Sequence, residues 1–320
     1  MIQSIDEYSK GVFVISATPF SENGAIDYES ADRLVDYYLR EGVHGITLLG
    51  VMGEAPKLSD SEQREFVVHM LKRVNDRIPV IVGVSNPGIQ NLVALSRYAM
   101  SNGAAGVMIA GVPGLKTDDH VYSFFSQVIE MLGDDVPVCL QDYPPTTMVH
   151  LSTTVILRLV NDFVSLKIFK HEDCPGLNKL SLMLAAPKKG HRQISILTGN
   201  GGLYVPQEFK RGANGVMTGF ALIGAFVKVY QMFIEGKTIE SEDLYDCYLP
   251  LIRHEQQLGF GLALRKEMLR RSKVLSSNRT RQPGPTLTST DIRELEELLH
   301  RLTVRLSAIG FEVPRYLRQD

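Results

Sequence analysis

The feature that most constrains the fold is an even alternation of short apolar runs with amphipathic segments between residues 12 and about 235. Several of the runs are rich in valine and isoleucine, as strands buried on both faces should be. The eight runs are Val12–Ser16, Gly45–Leu49, Val80–Gly83, Gly106–Ala110, Pro137–Gln141, Val164–Phe169, Ile194–Thr198 and Gly215–Thr218. Eight strand–helix units in this length predict an α/β fold, a (β/α)8 barrel.

The chain changes character beyond the eighth unit, where no further strand-like run occurs. Three segments there have the apolar spacing of helices: Leu244–Leu258, Leu262–Arg271 and Asp291–Leu306. A linker rich in proline and glycine precedes the last of them. We therefore predict a barrel catalytic domain over residues 1–236 and a C-terminal helical extension over residues 237–320.

Composition excludes several classes of protein. The 320 residues include 34 Lys+Arg and 36 Asp+Glu, a net charge of −2, whereas nucleic-acid-binding proteins have a basic surface. No run of 18 apolar residues predicts a membrane span, and the N-terminus lacks the pattern of a signal peptide. Three scattered cysteines are too few for a disulfide framework or a zinc site. These features predict a cytoplasmic protein with no nucleic-acid or membrane partner and no metal.

The sixth apolar run ends in the most informative residues of the chain. Barrel enzymes have their active sites at the C-terminal ends of the strands. Because side chains alternate between the two faces of a strand, Lys170 and Glu172 continue the apolar face of Leu166 and Ile168. Lys167 lies on the opposite face. If the apolar face points into the barrel, Lys170 emerges at the top of the interior with Glu172 beside it.

A lysine in a mostly apolar barrel mouth is suited to covalent catalysis. Desolvation favours the neutral amine, which can form a Schiff base with a carbonyl substrate. The alternative is that Lys170 only forms an ion pair with Glu172 or Asp173 at the rim of the barrel.

Other strand ends add candidate residues for binding a substrate. The Gly50–Glu54 turn can direct backbone N–H groups at an anion, because such donors lack partners at a helix start. Gly199 and Asn200 follow the seventh run and permit close approach of a substrate to the backbone. Asp142 follows the fifth run, where a catalytic role and a turn role fit equally well. Each glycine-containing turn also has a purely structural interpretation.

These motifs together resemble the dihydrodipicolinate synthase / N-acetylneuraminate lyase family of pyruvate-type class I aldolases. The resemblance rests on Thr18-Pro19, the Gly-x-x-Gly-Glu turn at Gly50–Glu54, the strand-six lysine Lys170, and Gly199-Asn200. It implies a barrel with a helical C-terminal extension, assembled as a homo-oligomer (a dimer or, more usually in the family, a homotetramer). It also implies an imine between the lysine and a 2-oxo acid, with no metal or organic cofactor.

Two motifs are most similar to the branch of this family that contains L-2-keto-3-deoxyarabonate dehydratase. They are Gln141-Asp142-Tyr143-Pro144 and Lys170-His171-Glu172 followed by Pro175-Gly176. The usual family turn has two threonines where Val51 and Met52 stand here, so only backbone donors remain. The family's strand-five tyrosine, which relays protons, is replaced by Gln141.

The resemblance and the residues together predict a lyase that acts on a 2-oxo acid, with a keto-deoxy sugar acid as the expected substrate. Lys170 would form the imine, Glu172 would act as general acid and base, and Gln141 would hydrogen-bond the substrate. The backbone N–H groups of Met52 and Gly53 would hold its carboxylate. The remaining expected substrate-binding residues are Thr18, Val51, Glu54, Asp142, Gly199 and Asn200.

Three functions stay open at this point. Dehydration is favoured because the tyrosine–threonine relay is missing. A retro-aldol lyase, or an enzyme similar to 4-hydroxy-tetrahydrodipicolinate synthase that releases or uses pyruvate, is the alternative. A catalytically silent barrel that binds a small acid is the third possibility.

Overall fold

A closed barrel of eight parallel strands forms the centre of the computed structural model, which describes residues 4–314. Each strand is hydrogen-bonded to the next, and the eighth closes the barrel on the first. The strands are β1 (Gly11–Ile15), β2 (Gly45–Leu48), β3 (Val80–Gly83), β4 (Gly106–Ala110), β5 (Val138–Asp142), β6 (Leu166–His171), β7 (Ser195–Thr198) and β8 (Gly215–Thr218). The predicted (β/α)8 fold is confirmed.

Helices surround the barrel and continue beyond it. Those between and after the strands are α1 (Tyr28–Arg40), α2 (Asp60–Val74), α3 (Ile89–Ser101), α4 (Asp118–Leu132), α5 (Pro144–Thr147), α6 (Thr153–Asp162), α7 (Leu177–Ala185), α8 (Val205–Arg211) and α9 (Gly224–Ile234). The C-terminal extension contains α10 (Thr238–Glu255), α11 (Phe260–Arg271) and α12 (Ser289–Ala308). Within residues 4–314, no helix is long and apolar enough to cross a membrane.

The C-terminal helices are attached to the barrel through α10, which packs against α9. The last barrel helix ends at Ile234 and α10 begins at Thr238, on either side of the predicted boundary at residue 236. Side chains of the extension reach the barrel mouth, as described below, so the two parts pack together closely. Their division into two domains stays a prediction.

Strand register places Lys170 inside the barrel. Residues paired across parallel strands share a face, and β5 pairs Gln141 with Lys170 of β6. Lys167, on the other face, contacts Glu7 through a 3.0 Å Nζ–Oε2 distance. The sixth strand begins and ends two residues later than predicted, because Val164 lies in the surface turn before it and is 53 % exposed. The alternation of faces is unaffected by this shift.

Candidate active site

Three side chains meet at the C-terminal ends of β5 and β6. The Nζ of Lys170 lies 2.9 Å from Oε2 of Glu172, and Nε2 of Gln141 donates to the same oxygen at 2.7 Å. Their exposed fractions are 3 % for Lys170 and 6 % for each of the other two. A lysine and a carboxylate therefore lie in contact within a barrel mouth that is largely closed to water.

The turn after β7 holds the other oxygen of the same carboxylate. The backbone N–H of Asn200 donates to Oε1 of Glu172 at 3.1 Å. A side chain at Gly199 would displace this carboxylate, because a Cβ at this position would lie 2.4 Å from Oε1 of Glu172. Asn200 and Gly199 therefore both lie against Glu172, and they fix the position of its carboxylate.

The Gly50–Glu54 turn forms a short 3₁₀ helix over Val51–Gly53. The Gly53 N–H donates to Gly50 O at 2.9 Å, and the Thr18 hydroxyl donates to Gly53 O at 2.7 Å. Gly53 and Thr18 are therefore engaged in holding the turn together, so the Gly53 N–H is not free to hold the substrate carboxylate as the sequence predicted. The first amides of a helical turn lack a carbonyl one turn before them, so Val51 and Met52 supply the N–H groups that suit an anion. The Val51 side chain is 56 % exposed, whereas Met52 is buried.

The Glu54 carboxylate is occupied by contacts within the protein. Its Oε1 lies 2.6 Å from Nζ of Lys266 on α11, and its Oε2 lies 2.9 Å from Nζ of Lys57. The backbone N–H of Arg281 also donates to Oε2, at 3.0 Å. The geometry gives Glu54 a structural role, joining the turn to the C-terminal extension, in place of the substrate contact expected from sequence.

Replacing Lys266 with methionine should lower the free energy of unfolding by about 3 kcal/mol, because a fully buried Glu54 would lose its buried partner. Lys57→Met is the matched control: its side chain is 24 % exposed, so the loss should stay below about 1 kcal/mol. Urea unfolding followed by circular dichroism measures both. Equal losses in the two variants would contradict the structural role assigned to the buried pair.

Asp142 lies on the outer face of β5, away from Lys170. Its Oδ2 contacts Nζ of Lys179 on α7, and Nδ1 of His171 is 3.9 Å from the same oxygen. Burial raises the pKa of the Asp142 carboxyl to about 6. Adjacent side chains of a strand point to opposite faces, so Asp142 points away from the barrel mouth while Gln141 faces it. Asp142 is therefore not placed for the substrate contact expected from the sequence.

Side chains of the C-terminal extension complete the rim of the mouth, and sequence reasoning missed them. Nε2 of Gln256 donates to Oδ1 of Asn200 at 3.1 Å, and Nη2 of Arg265 donates to Oε1 of Gln256 at 2.8 Å. Tyr143 is buried beside them, and its pKa is raised by burial and by the charge of Glu172, so its hydroxyl stays protonated. Local spacing gave no signal for Gln256 and Arg265, because they are far in sequence from Asn200 and from the barrel strands.

The described part of the chain contains no cluster of three histidine, cysteine, aspartate or glutamate side chains arranged to hold a metal ion. Its three cysteines are unpaired, with Cys139 and Cys247 buried and Cys174 exposed. The groups gathered at the mouth are an amine, a carboxylate, amides and a guanidinium. Such a set is suited to binding and protonating a small organic acid.

Comparison with known proteins agrees with this chemistry. The model of the dihydrodipicolinate synthetase family matches residues 8–302. A crystal structure of dihydrodipicolinate synthase from Rhodopseudomonas palustris is 43% identical, with a TM-score of 0.91 and coverage of 93% of this chain and 99% of that one. L-2-keto-3-deoxyarabonate dehydratase from Azospirillum brasilense is 27% identical over 313 residues, 94% of this chain and 97% of the relative.

A third relative has a different stated activity. The 4-hydroxy-tetrahydrodipicolinate synthase from Corynebacterium aurimucosum is 28% identical over 302 residues, 93% of this chain and 95% of the relative. Relatives described as synthases and as a dehydratase thus each cover more than nine-tenths of this chain. The family match covers nearly all of the sequence, and the chain is a lyase that belongs to the dihydrodipicolinate synthetase family.

Proposed function

We propose that the protein is a Schiff-base-forming dehydratase that acts on a 2-oxo acid, specifically a keto-deoxy sugar acid. The observation that supports this most strongly is the buried contact of 2.9 Å between Nζ of Lys170 and Oε2 of Glu172. A nucleophilic amine and a general acid–base within hydrogen-bonding distance are what imine chemistry requires. The similarity to a keto-deoxyarabonate dehydratase over 94% of the chain favours this class of substrate.

In the proposed reaction, the Lys170 amine attacks the keto carbon, and the keto oxygen leaves as water to form the imine. The protonated imine withdraws electrons, which acidifies the adjacent carbon. Glu172 removes a proton from that carbon and then donates it to the hydroxyl on the next carbon, whose C–O bond breaks so that the hydroxyl leaves as a second molecule of water. Hydrolysis of the imine then releases an unsaturated 2-oxo acid and restores the free amine. A proton shift from the hydroxyl-bearing fifth carbon to the third gives an enol, whose tautomerisation gives the dioxo acid.

Neighbouring residues fit supporting roles in this scheme. Gln141 donates to Glu172 and so orients the carboxylate, but an amide cannot itself act as the acid. The N–H groups of Val51 and Met52 are proposed to hold the substrate carboxylate. Asn200 and Gly199 are assigned to positioning Glu172, while Thr18 supports the turn. Because the imine is the electron sink, the reaction needs no metal or organic cofactor.

Assembly, cellular location and partners are part of the same proposal. Family membership favours a homo-oligomer, either a dimer or a tetramer, and a cytoplasmic location, and the near-neutral charge weighs against nucleic-acid partners. The substrate is the small 2-oxo acid, and no further partner is needed for the proposed chemistry.

A pyruvate-using or pyruvate-releasing reaction is the second candidate. The 43% identity to a structure described as a dihydrodipicolinate synthase favours it. Two differences from the family pattern weigh against it. Gln141 replaces the relay tyrosine, and Thr146 stands near the position of the arginine that binds the aldehyde substrate in dihydrodipicolinate synthase. The same imine would serve both reactions, since retro-aldol cleavage differs only in which bond breaks after the imine forms.

Product analysis separates the candidates. The enzyme is incubated with five- and six-carbon 2-keto-3-deoxy sugar acids, and the products are identified by mass spectrometry, with pyruvate measured by a lactate dehydrogenase assay. Dehydration should give a dioxo acid one water lighter than the substrate and no pyruvate. Stoichiometric pyruvate from any of these acids, or consumption of pyruvate with aspartate semialdehyde, would replace dehydration with the aldolase-type reaction.

A further inference from the structure

Arg265 of α11 extends from the C-terminal helices to the barrel mouth. Its Nε lies 3.3 Å from Oε2 of Glu255, and its Nη2 donates to Oε1 of Gln256 at 2.8 Å. Among residues 4–314, its Nη1 contacts only the thioether of Met52, at 3.5 Å. Met52 belongs to the turn whose backbone amides are proposed to hold the substrate carboxylate.

The contacts of Arg265 differ from those of the structural arginines in this chain. Arg281 places both terminal nitrogens on Glu62, at 2.7 Å each, and on the carbonyls of Lys57 and Gly24. The guanidinium donors of Arg192 all bind backbone carbonyls. A thioether is a weak acceptor for a charged donor. One side of the Arg265 guanidinium is therefore poorly satisfied although its side chain is only 13 % exposed.

A continuous series of contacts joins this guanidinium to the reactive lysine. Arg265 contacts Gln256, whose amide donates to the Asn200 side chain at 3.1 Å. The Asn200 N–H donates to Glu172, which contacts Lys170. The guanidinium is thus part of the same polar rim that surrounds the imine-forming amine, on the side formed by the C-terminal extension.

We propose that Arg265, together with Gln256, is a specificity-determining site that binds a second carboxylate at the end of the substrate distant from its keto group. This inference rests on the proposed function, and it narrows the substrate to keto-deoxy sugar acids that carry a second carboxylate at the far end of the chain. A guanidinium presents donors in a planar fork that matches a carboxylate, and the pairing is strong where water is largely excluded. The carboxylate would take the place of the Met52 sulfur at Nη1, and the amide of Gln256 would lie beside it.

The test compares acids of equal length that differ at the far end. The acids are 2-oxoglutarate and 2-oxovalerate, with pyruvate as the acid that has no distal group. For each one, the concentration that gives half-maximal borohydride trapping is measured by intact mass. The wild-type enzyme should trap 2-oxoglutarate at lower concentration than 2-oxovalerate. In Arg265→Met, the concentration of 2-oxoglutarate that gives half-maximal trapping should rise on the order of tenfold to a hundredfold. The corresponding concentration of pyruvate should change far less.

Two further variants test whether the effect of Arg265→Met reflects lower folding stability or the loss of any positive charge, and not lost recognition of the distal carboxylate. Arg265→Met leaves Glu255 buried without its cationic partner, so the double variant Arg265→Met/Glu255→Gln removes both charges and should show the same selective loss. Arg293→Met removes an equal charge from an exposed position on α12 and should leave the preference for 2-oxoglutarate unchanged.

The outcomes distinguish this inference from the proposed function. Equal weakening for pyruvate and 2-oxoglutarate, or no change for either acid in both Arg265 variants, would overturn the distal site while leaving the Schiff base intact. Failure of the wild-type enzyme to trap pyruvate or any other 2-oxo acid would instead remove the proposed function, and the distal site with it.

Discussion

Replacing Lys170 with alanine should reduce turnover by a factor on the order of 10⁴–10⁶, the range found when a catalytic nucleophile is deleted. Within the part of the chain that the structure describes, no other amine is placed to substitute for it: Lys266 is buried against Glu54, and Lys167 contacts Glu7 on the other face of β6. Steady-state kinetics on the substrate found by product analysis measures the loss.

Lys167→Ala is the matched control for this prediction, because it removes a lysine from the same strand with the opposite parity. It should keep most of the activity, and thermal unfolding should show that both variants are folded. Comparable turnover in Lys170→Ala and wild type, or equal losses in the two variants, would contradict the assignment of the nucleophile.

Replacing Glu172 with glutamine should lower turnover by a factor on the order of 10²–10⁴, the usual contribution of a positioned general acid–base. The imine should still form, since that step belongs to Lys170, so borohydride trapping should persist. Exchange of solvent deuterium into the methyl group of bound pyruvate should fall in parallel with turnover, and NMR measures this exchange directly.

Asp142→Asn is the control for the loss of a carboxylate, because Asp142 contacts Lys179 outside the barrel mouth. Its deuterium exchange should stay close to that of the wild-type enzyme. If Glu172 only pairs with Lys170, Glu172→Gln would instead change how imine formation depends on pH while exchange continues at the wild-type rate. That result would remove Glu172 from the proton-transfer step.

The fold and the centre of the site follow from short-range patterns in the sequence. A period of two along β6 separates Lys170 from Lys167, and the structure confirms that the former faces the interior and the latter contacts Glu7. The same period brings Glu172 into contact with Lys170. These predictions succeed because a parallel barrel buries both faces of each strand, so the alternation of side chains determines their location.

The parts of the site that could not be predicted depend on contacts between residues far apart in the chain. Glu54 lies in a turn that suggests substrate binding, but its buried partner Lys266 is 212 positions away. Gln256 directly follows α10 and Arg265 lies in α11, and the apolar spacing of these segments predicts only packing against the barrel. Nothing in local spacing shows that the turn between α10 and α11 reaches the rim of the mouth, because that depends on how the extension packs.

The most direct test of the account is the identity of the residue that is modified when the enzyme is incubated with pyruvate and borohydride and then digested for peptide mapping. We predict a single reduced pyruvate adduct on Lys170, the lysine in contact with Glu172 inside the barrel. Recovery of the adduct on Lys167 or Lys266, with trapping retained in Lys170→Ala, would contradict the account.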